Sequence, residues 1–298
     1  MRSRARPEFP FLETARTPLP HGDGMKRLST LARTILMTLA VVATGCSHAA
    51  PASSPTTTVP APAAERSISI TDGESLIRAM HQRYASTWYH TATFTQRTTI
   101  TRGQQSPIVQ TWYEALSLPG KLRIDVGNPD GGNGTLFRND STYFMSAGRI
   151  ARADTGFNEL LVLGFDVYTQ PPEQTISILR HLGYQLSRLH SNDLNGRSVY
   201  VVGATSKYDS TSKQFWIERD RLLFVRGEEK TSSGQQNDVR FMDYVPAGTG
   251  WMARQVWQYI GGSPRLHEEY SGIKTDVVLD PNLFEPKLWS TATHWLKP

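Results

Sequence analysis

The chain has 298 residues, of which 38% are hydrophobic and 20% charged, and it contains one cysteine. This composition supports one large folded domain or two small ones and excludes disorder throughout, while the lone cysteine excludes an intramolecular disulfide framework and a Cys-only zinc site. The net charge is +5, but residues 47–298 carry 25 Lys and Arg against 24 Asp and Glu, so the charge gives no support for a nucleic-acid-binding domain.

The N-terminal segment has the pattern of a bacterial secretory signal. Residues 26–33 are basic, residues 35–43 are apolar except for Thr38, and small residues follow at Thr44 and Gly45. The apolar run is shorter than the ~20 residues that span a bilayer. We therefore predict a signal peptide over residues 25–45 that begins at Met25, with residues 1–24 an upstream extension from a misplaced start codon.

Residues 43–46, which end at Cys46, resemble a bacterial lipobox, in which the cysteine is diacylated and becomes the first residue of the mature protein. The alternative is a plain signal peptide followed by a chance cysteine. Residues 46–66 are rich in Pro, Ala and Thr and cannot bury a core, so we predict a disordered or polyproline-like tether. Ser47 favours sorting to the outer membrane, facing the periplasm.

The folded part, residues 67–298, is predicted to begin with a helix. Thr71 and Glu74 have the spacing of a capping box, and apolar residues follow at helical spacing from Leu76 to Tyr84. The spacing predicts a helix over 72–86. A second helix is predicted after Pro171-Pro172, with an apolar face and an end at Gly183.

The remaining sequence predicts about eleven β-strands, most of them joined by short loops. A turn at residues 118–121 joins strands 109–118 and 121–126, and Asn139-Asp140 joins strands 134–138 and 142–146. Strands 184–190 and 197–204 are predicted to flank a loop at 192–196. Sequential strands with short loops favour an antiparallel meander, so the predicted fold class is mainly β, with about eleven strands in one curled antiparallel sheet.

A sheet of this width curls because strand twist accumulates, and its interior is larger than its own side chains can fill. We predict that the helices cover it as a lid, with lid residues Leu76, Met80, Leu160, Leu163, Ile176 and Leu179. The candidate residues for an apolar cavity are Phe94, Trp112, Leu122, Ile124, Phe137, Phe144, Phe215 and Trp216. Phe215 and Trp216 are neighbours and cannot both point inward. The alternative is that these side chains form an ordinary filled core.

The sequence contains no recognisable catalytic or metal-binding motif. There is no Gly-x-Ser-x-Gly elbow, P-loop, dinucleotide fingerprint or His-x-x-His pair. Glu228-Glu229 and Glu268-Glu269 are adjacent carboxylates, but neighbours in a strand point to opposite faces, so neither pair should converge on a substrate. We expect neither enzymatic activity nor a cofactor or metal.

The segment from about 72 to 289 resembles the LolA/LolB-like superfamily of outer-membrane lipoprotein-sorting proteins. The stretches that carry the resemblance contain turns and strands: Trp112 with 119–124, then 134–140, 163–168, 194–203, 214–217 and 222–226. The resemblance implies an unclosed antiparallel barrel with a helical lid that holds acyl chains in its concavity.

These observations lead us to expect a monomeric, membrane-anchored envelope lipoprotein that binds lipid or lipoprotein acyl chains for carriage or outer-membrane sorting. A second hypothesis is an envelope-stress sensor of the same fold, which reads lipid and binds an envelope protein partner. A third is a hydrolase or structural domain with a filled core.

Overall fold

A computed structural model describes residues 68–296 of the chain. The predicted upstream extension, signal peptide, lipidated Cys46 and tether all lie outside the described residues. Within 68–296 the α-helices are α1 (Gly73–Tyr84), α2 (Glu159–Gly164) and α3 (Pro172–His181). The strands are β1 (Thr91–Ile100), β2 (Ile108–Ser117), β3 (Lys121–Val126), β4 (Gly134–Arg138), β5 (Ser141–Ser146), β6 (Arg149–Thr155), β7 (Leu189–Leu194), β8 (Arg197–Val202), β9 (Gln214–Glu218), β10 (Phe224–Lys230), β11 (Gln236–Ala247), β12 (Gly250–Ile260) and β13 (Ser263–Thr275).

The thirteen strands of the described segment form one antiparallel sheet. Its order is β6-β5-β4-β3-β2-β1-β13-β12-β11-β10-β9-β8-β7, so consecutive strands are paired except for β6 and β7, which lie at opposite edges, and β1 pairs with β13. That pairing joins two meanders, and β6 and β7 remain as unpaired edges. The predicted class, a mainly β curled antiparallel sheet that does not close into a barrel and carries a helical lid, is confirmed.

The helix α1 begins one residue later than its predicted capping box. Asp72 is the N-cap, and its carboxylate accepts a hydrogen bond from the Ser75 backbone N–H at 2.8 Å. The Ser75 hydroxyl accepts one from the Asp72 N–H at 3.0 Å. The box is therefore Asp72–Ser75 rather than Thr71–Glu74, and the Asp72 and Ser75 side chains satisfy the backbone N–H groups of Ser75 and Asp72.

Two strands differ from the predicted pattern. The whole of β6 is exposed, so it lacks the alternation of apolar and polar residues that marks a half-buried strand. The strand predicted at 184–190 instead lies at Leu189–Leu194, because Tyr184 and Leu186 are buried in the main core as part of a turn after α3. The following turn is the two-residue Asn195-Gly196, both at positive φ.

The sheet buries apolar residues on both faces. The main core lies between the three helices and the face that we call the inner face. On the opposite, outer face, Leu283, Phe284 and Trp289 of the C-terminal segment pack against residues of β2, β4 and β5. A third cluster on the outer face contains side chains of β8, β9 and β10, among them Trp216. The outer face is therefore covered at these two places, whereas β6 is exposed along its whole length.

Candidate functional site

An apolar cavity lies on the inner face, beneath α2. Its apolar walls come from β1 to β4, from β11 to β13, and from the segment that contains α2: Phe94, Trp112, Leu116, Leu122, Ile124, Val126, Phe137, Leu160, Leu161, Phe165, Phe241, Val256 and Tyr270. The cavity volume is about 70 Å³, within about 770 Å³ of space between wall atoms that includes open solvent. The cavity is thus narrow and partly open.

Strand alternation explains which side chains reach the cavity. Leu122 and Ile124 of β3 point inward, whereas Arg123 and Asp125, which alternate with them, are buried on the outer face. On β1 and β2, Phe94 pairs with Glu114 and Gln96 pairs with Trp112, which places all four on the inner face.

The predicted cavity residues divide into two groups. Phe94, Trp112, Leu122, Ile124 and Phe137 all line the cavity. The other three lie elsewhere: Phe144, Phe215 and Trp216.

Each of these three side chains is buried at a different place in the fold. Phe144 is buried on β5 with the Arg152 guanidinium 4.1 Å from its ring centre. Phe215 packs in the main core against Tyr184, with ring centres 5.3 Å apart. Trp216 points to the outer face, because consecutive residues of β9 alternate.

The predicted lid residues also separate. Leu160 lines the cavity, together with Leu161, which the sequence analysis did not single out. Leu163 is buried in the main core. The four candidates on α1 and α3 are buried in the same core and do not line the cavity: Leu76, Met80, Ile176 and Leu179. The helix that covers the cavity is therefore the six-residue α2.

The cavity also contains carboxyl groups that the sequence analysis did not bring together. Glu114 of β2 and Glu268 of β13 are 3% and 4% exposed and both line the cavity. Burial raises the pKa of Glu114 well above its ordinary value, and the negative charge of Glu268 adds to the effect. Burial also raises the pKa of Glu268 to about 7, although the Tyr270 hydroxyl donates to its Oε2 at 2.7 Å and favours the charged form.

The adjacent pair Glu268-Glu269 does separate, as alternation predicts. Glu269 forms an ion pair with Arg97 and is half-exposed. The convergence that does occur joins Glu268 to Glu114, a pair that the sequence analysis did not consider, across the strand β1 that lies between β2 and β13. Only the pairing of two strands at opposite ends of the folded segment brings Glu268 to Glu114.

A half-buried ion bridge attaches α2 to the sheet. The Lys213 ammonium lies 2.6 Å from the Glu159 carboxylate on α2 and 2.9 Å from the Glu229 carboxylate on β10. The Tyr184 hydroxyl also donates to Glu159 at 3.3 Å. Burial alone would lower the pKa of Lys213, but the two carboxylates raise it, so the ammonium remains charged. At the start of α2, the Asn158 side chain accepts hydrogen bonds from the Leu160 and Leu161 N–H groups.

Asp166 lies just after α2 and connects it to the β2–β3 turn. Its carboxylate is 2% exposed and accepts a hydrogen bond from the Gly120 N–H at 2.8 Å. Burial raises the pKa of Asp166 to about 7, and the bond from Gly120 opposes the shift. Because the folded state holds this proton more tightly than the unfolded state, the stabilisation is full below about pH 4 and is lost as the pH rises to about 7.

The variant Asp166→Asn should remove this pH dependence, since it keeps the acceptor oxygen and loses the charge. We expect it to exceed the wild type in free energy of unfolding by on the order of 2–4 kcal/mol at pH 8 and to match it at pH 4. Urea denaturation at both pH values measures the difference. Asp154→Asn, in an exposed ion pair with Arg152, is the control and should change little. An equal difference at both pH values would contradict this explanation.

Residues 68–296 contain no cluster of three or more His, Cys, Asp or Glu side chains suited to a metal ion. Over the same residues, no helix has both the length and the hydropathy needed to cross a membrane.

Comparisons with known proteins find likeness in structure but not in sequence. No family model matches the chain, and no curated protein matches it. A candidate outer membrane lipoprotein-sorting protein domain from Vibrio parahaemolyticus superimposes with a TM-score of 0.51 at 13% identity, over 73% of this chain and 98% of that chain.

Two further crystal structures superimpose with lower scores. A DUF1329 family protein from Desulfovibrio piger matches with a TM-score of 0.49 at 16% identity, over 72% of this chain and 95% of that chain. A LolA superfamily protein from Nitrosomonas europaea matches with a TM-score of 0.46 at 9% identity, over 70% and 96%. At the level of fold, the predicted resemblance is confirmed: residues 68–296 have the fold of the Vibrio lipoprotein-sorting domain.

Proposed function

We propose that the protein is an envelope lipoprotein that binds the acyl chains of lipids or lipoproteins beneath α2, for carriage or for sorting to the outer membrane. The observation that carries this proposal is the apolar cavity between an unclosed sheet and one short helix. The fold shared with the Vibrio domain supports it. Burial of apolar ligand surface supplies the driving force, at ~25 cal/mol per Å².

Binding requires movement of α2. The cavity of about 70 Å³ is smaller than the ~300–1,000 Å³ of typical small-molecule sites. The surrounding 770 Å³ of space between wall atoms, part of it open to solvent, lies in that range. Because α2 has only six residues, its outward movement would enlarge the cavity at the cost of the contacts that Leu161, Val162 and Leu163 make in the main core.

We also propose that diacylation of Cys46 anchors the protein, with residues 46–66 as the tether. At ~3.1 Å per residue a stiff tether of this length reaches about 60 Å. The anchor would hold the domain close to a membrane while leaving the cavity free to exchange its contents. Several buried acyl chains give firm attachment, since each buried CH₂ contributes ~0.8 kcal/mol.

Native and denaturing mass spectrometry of the full chain, with organic extraction, tests both parts. Denatured wild-type protein from a bacterial envelope should retain a lipid mass that Cys46→Ala lacks. Native Cys46→Ala protein should still carry about one extractable lipid or fatty acid, held in the cavity. A compact domain without extractable lipid would overturn the carrier proposal, and an unmodified Cys46 would overturn the anchor.

The variant Phe137→Asp should reduce the occupancy of this lipid at least about tenfold, because it places a charge in the apolar wall. Val109→Asp is the matched control: Val109 lies on β2, is 52% exposed and should leave occupancy unchanged. Leu160→Trp serves as an uncharged variant that fills the cavity from the α2 side. Unchanged occupancy in both cavity variants would contradict the assignment. Transfer of the lipid to vesicles would indicate a carrier, whereas retention without transfer would favour the sensor.

A further inference from the structure

The Glu114 carboxyl group is buried in the cavity without a partner. The side chain is 3% exposed and projects from β2 into the space beneath α2. Within residues 68–296, no hydrogen bond or ion pair joins its carboxyl oxygens to another side chain or to the backbone, and its interaction with Glu268 is repulsive. An unpaired carboxylate in an apolar site costs several kcal/mol. Burial therefore favours the protonated carboxyl group in the free protein, and a cation beside it would favour ionisation.

The residues that line the cavity around Glu114 include a second acidic side chain, Glu268, and no basic one. Glu268 already accepts the hydrogen bond of the Tyr270 hydroxyl. None of the side chains that line the cavity is a lysine, arginine or histidine. Lys213, which does not line the cavity, is held between Glu159 and Glu229. A cationic group on a ligand would favour the ionised form of Glu114 and pair with it, whereas an anionic group would meet two carboxyl groups that already resist ionisation.

Aromatic rings line the same space. Phe94 lies opposite Glu114 on β1, and its ring centre is 4.7 Å from that of Tyr270. Trp112 and Phe137 line the neighbouring wall. The faces of aromatic rings attract ammonium groups, most strongly where water is excluded. Apolar walls, aromatic faces and an unpaired carboxylate together match an alkyl chain that ends in an amine.

We propose that the cavity binds amphiphiles with an amine at the polar end, with the ammonium against the Glu114 carboxylate and the alkyl chain along the apolar walls. This inference rests on the proposed function, since it requires that the cavity bind a ligand. It names the chemical class of that ligand. The cavity should discriminate against a fatty acid of equal length, because its carboxylate would lie beside two carboxyl groups whose raised pKa values show that this site already disfavours negative charge.

The test compares three probes of equal chain length below their micellar concentrations: dodecylamine, dodecanol and dodecanoate. Their affinities for the purified full-length protein are measured by titration calorimetry at pH 7.5, where the amine is charged. We expect dodecylamine to bind at least about tenfold more tightly than dodecanol, and dodecanoate to bind most weakly.

The variant Glu114→Gln keeps the size of the side chain and removes its charge. It should reduce the preference for dodecylamine over dodecanol to within about threefold, while the affinity for dodecanol stays unchanged and reports that the cavity is intact. Glu269→Gln is the matched control, since Glu269 lies on the outer side of β13 and is half-exposed. It should leave the preference unchanged.

The outcomes separate this inference from the proposed function. Equal affinities for dodecylamine and dodecanol, or a preference that survives Glu114→Gln, would overturn the amine assignment and leave lipid binding standing. A preference that disappears in Glu269→Gln would show that the amine binds the acidic surface, and would overturn it too. Binding of none of the three probes would overturn both proposals.

Discussion

Replacing Arg123 with alanine is expected to lower the free energy of unfolding by about 3–5 kcal/mol, the range for a broken buried ion pair. Arg123 and Asp125 are 3% and 0% exposed on the outer face of β3. Two hydrogen bonds of 2.8 Å join the guanidinium to the carboxylate, and a third runs from Arg123 to the Trp289 carbonyl at 3.1 Å. The variant leaves Asp125 buried with only the His294 ring nitrogen, 3.1 Å from its Oδ2.

The effect should reach the C-terminal segment first. The Arg123 guanidinium stacks 3.8 Å from the Trp289 ring centre, so the same side chain holds this segment against the sheet. Urea denaturation gives the free energy, and near-ultraviolet circular dichroism reports the Trp289 environment.

Two further variants identify the source of the loss. Arg97→Ala breaks an exposed pair and should cost about 1 kcal/mol or less. Adding Asp125→Leu to Arg123→Met should recover part of the loss, since no unpaired charge then remains at this pair. A loss below about 1 kcal/mol for Arg123→Ala would show that Asp125 finds another partner.

Replacing Lys213 with methionine is expected to release α2. The change leaves the Glu159 and Glu229 carboxylates facing each other without the ammonium that lies within 3 Å of both, so repulsion replaces attraction. Amides of α2 should exchange with solvent about 10–100-fold faster than in the wild type, whereas those of α3, buried in the main core, should change little. Hydrogen exchange followed by mass spectrometry measures both helices in one experiment.

If α2 acts as the lid, bound lipid should also dissociate faster from Lys213→Met. The control is Lys207→Met, because Lys207 is an exposed lysine close in sequence. Unchanged exchange in α2 would show that the Asn158 cap and the apolar contacts of Leu161 hold the helix without the bridge. Faster exchange with an unchanged rate of lipid release would separate α2 from the exchange route.

The predicted and observed elements agree where the pattern is local. The turn at residues 118–121, the Asn139-Asp140 hairpin and the helix beginning at Pro172 depend on residues a few positions apart. The strand β6 escaped prediction because its exposed residues carry no alternation. The segment around Tyr184 was placed in a strand because its apolar residues resemble one, but packing against Phe215 holds it in a turn.

The residues of the cavity wall follow partly from the local sequence pattern and partly from tertiary packing. Alternation puts Leu122 and Ile124 on one face of β3, and their apolar character correctly assigns that face to the interior, but it does not predict that Arg123 and Asp125 on the other face are buried as well. A charged pair buried at 0–3% exposure is unusual, so polarity alone would assign that face to solvent. The C-terminal segment around Trp289, which covers the pair, makes the difference.

By itself the sequence determined the mainly β class, the meander and the helices α1 and α3, because these follow from hydrogen bonding and side-chain spacing within a few residues. Only the tertiary structure decided that β1 pairs with β13 and that α2, rather than α1 or α3, covers the cavity. The strand propensity of a segment does not specify which other strand it pairs with. Packing of the whole sheet selects the pairing of β1 with β13. That pairing places Glu268 beside Glu114, and these two carboxyl groups distinguish this cavity from a plain apolar one.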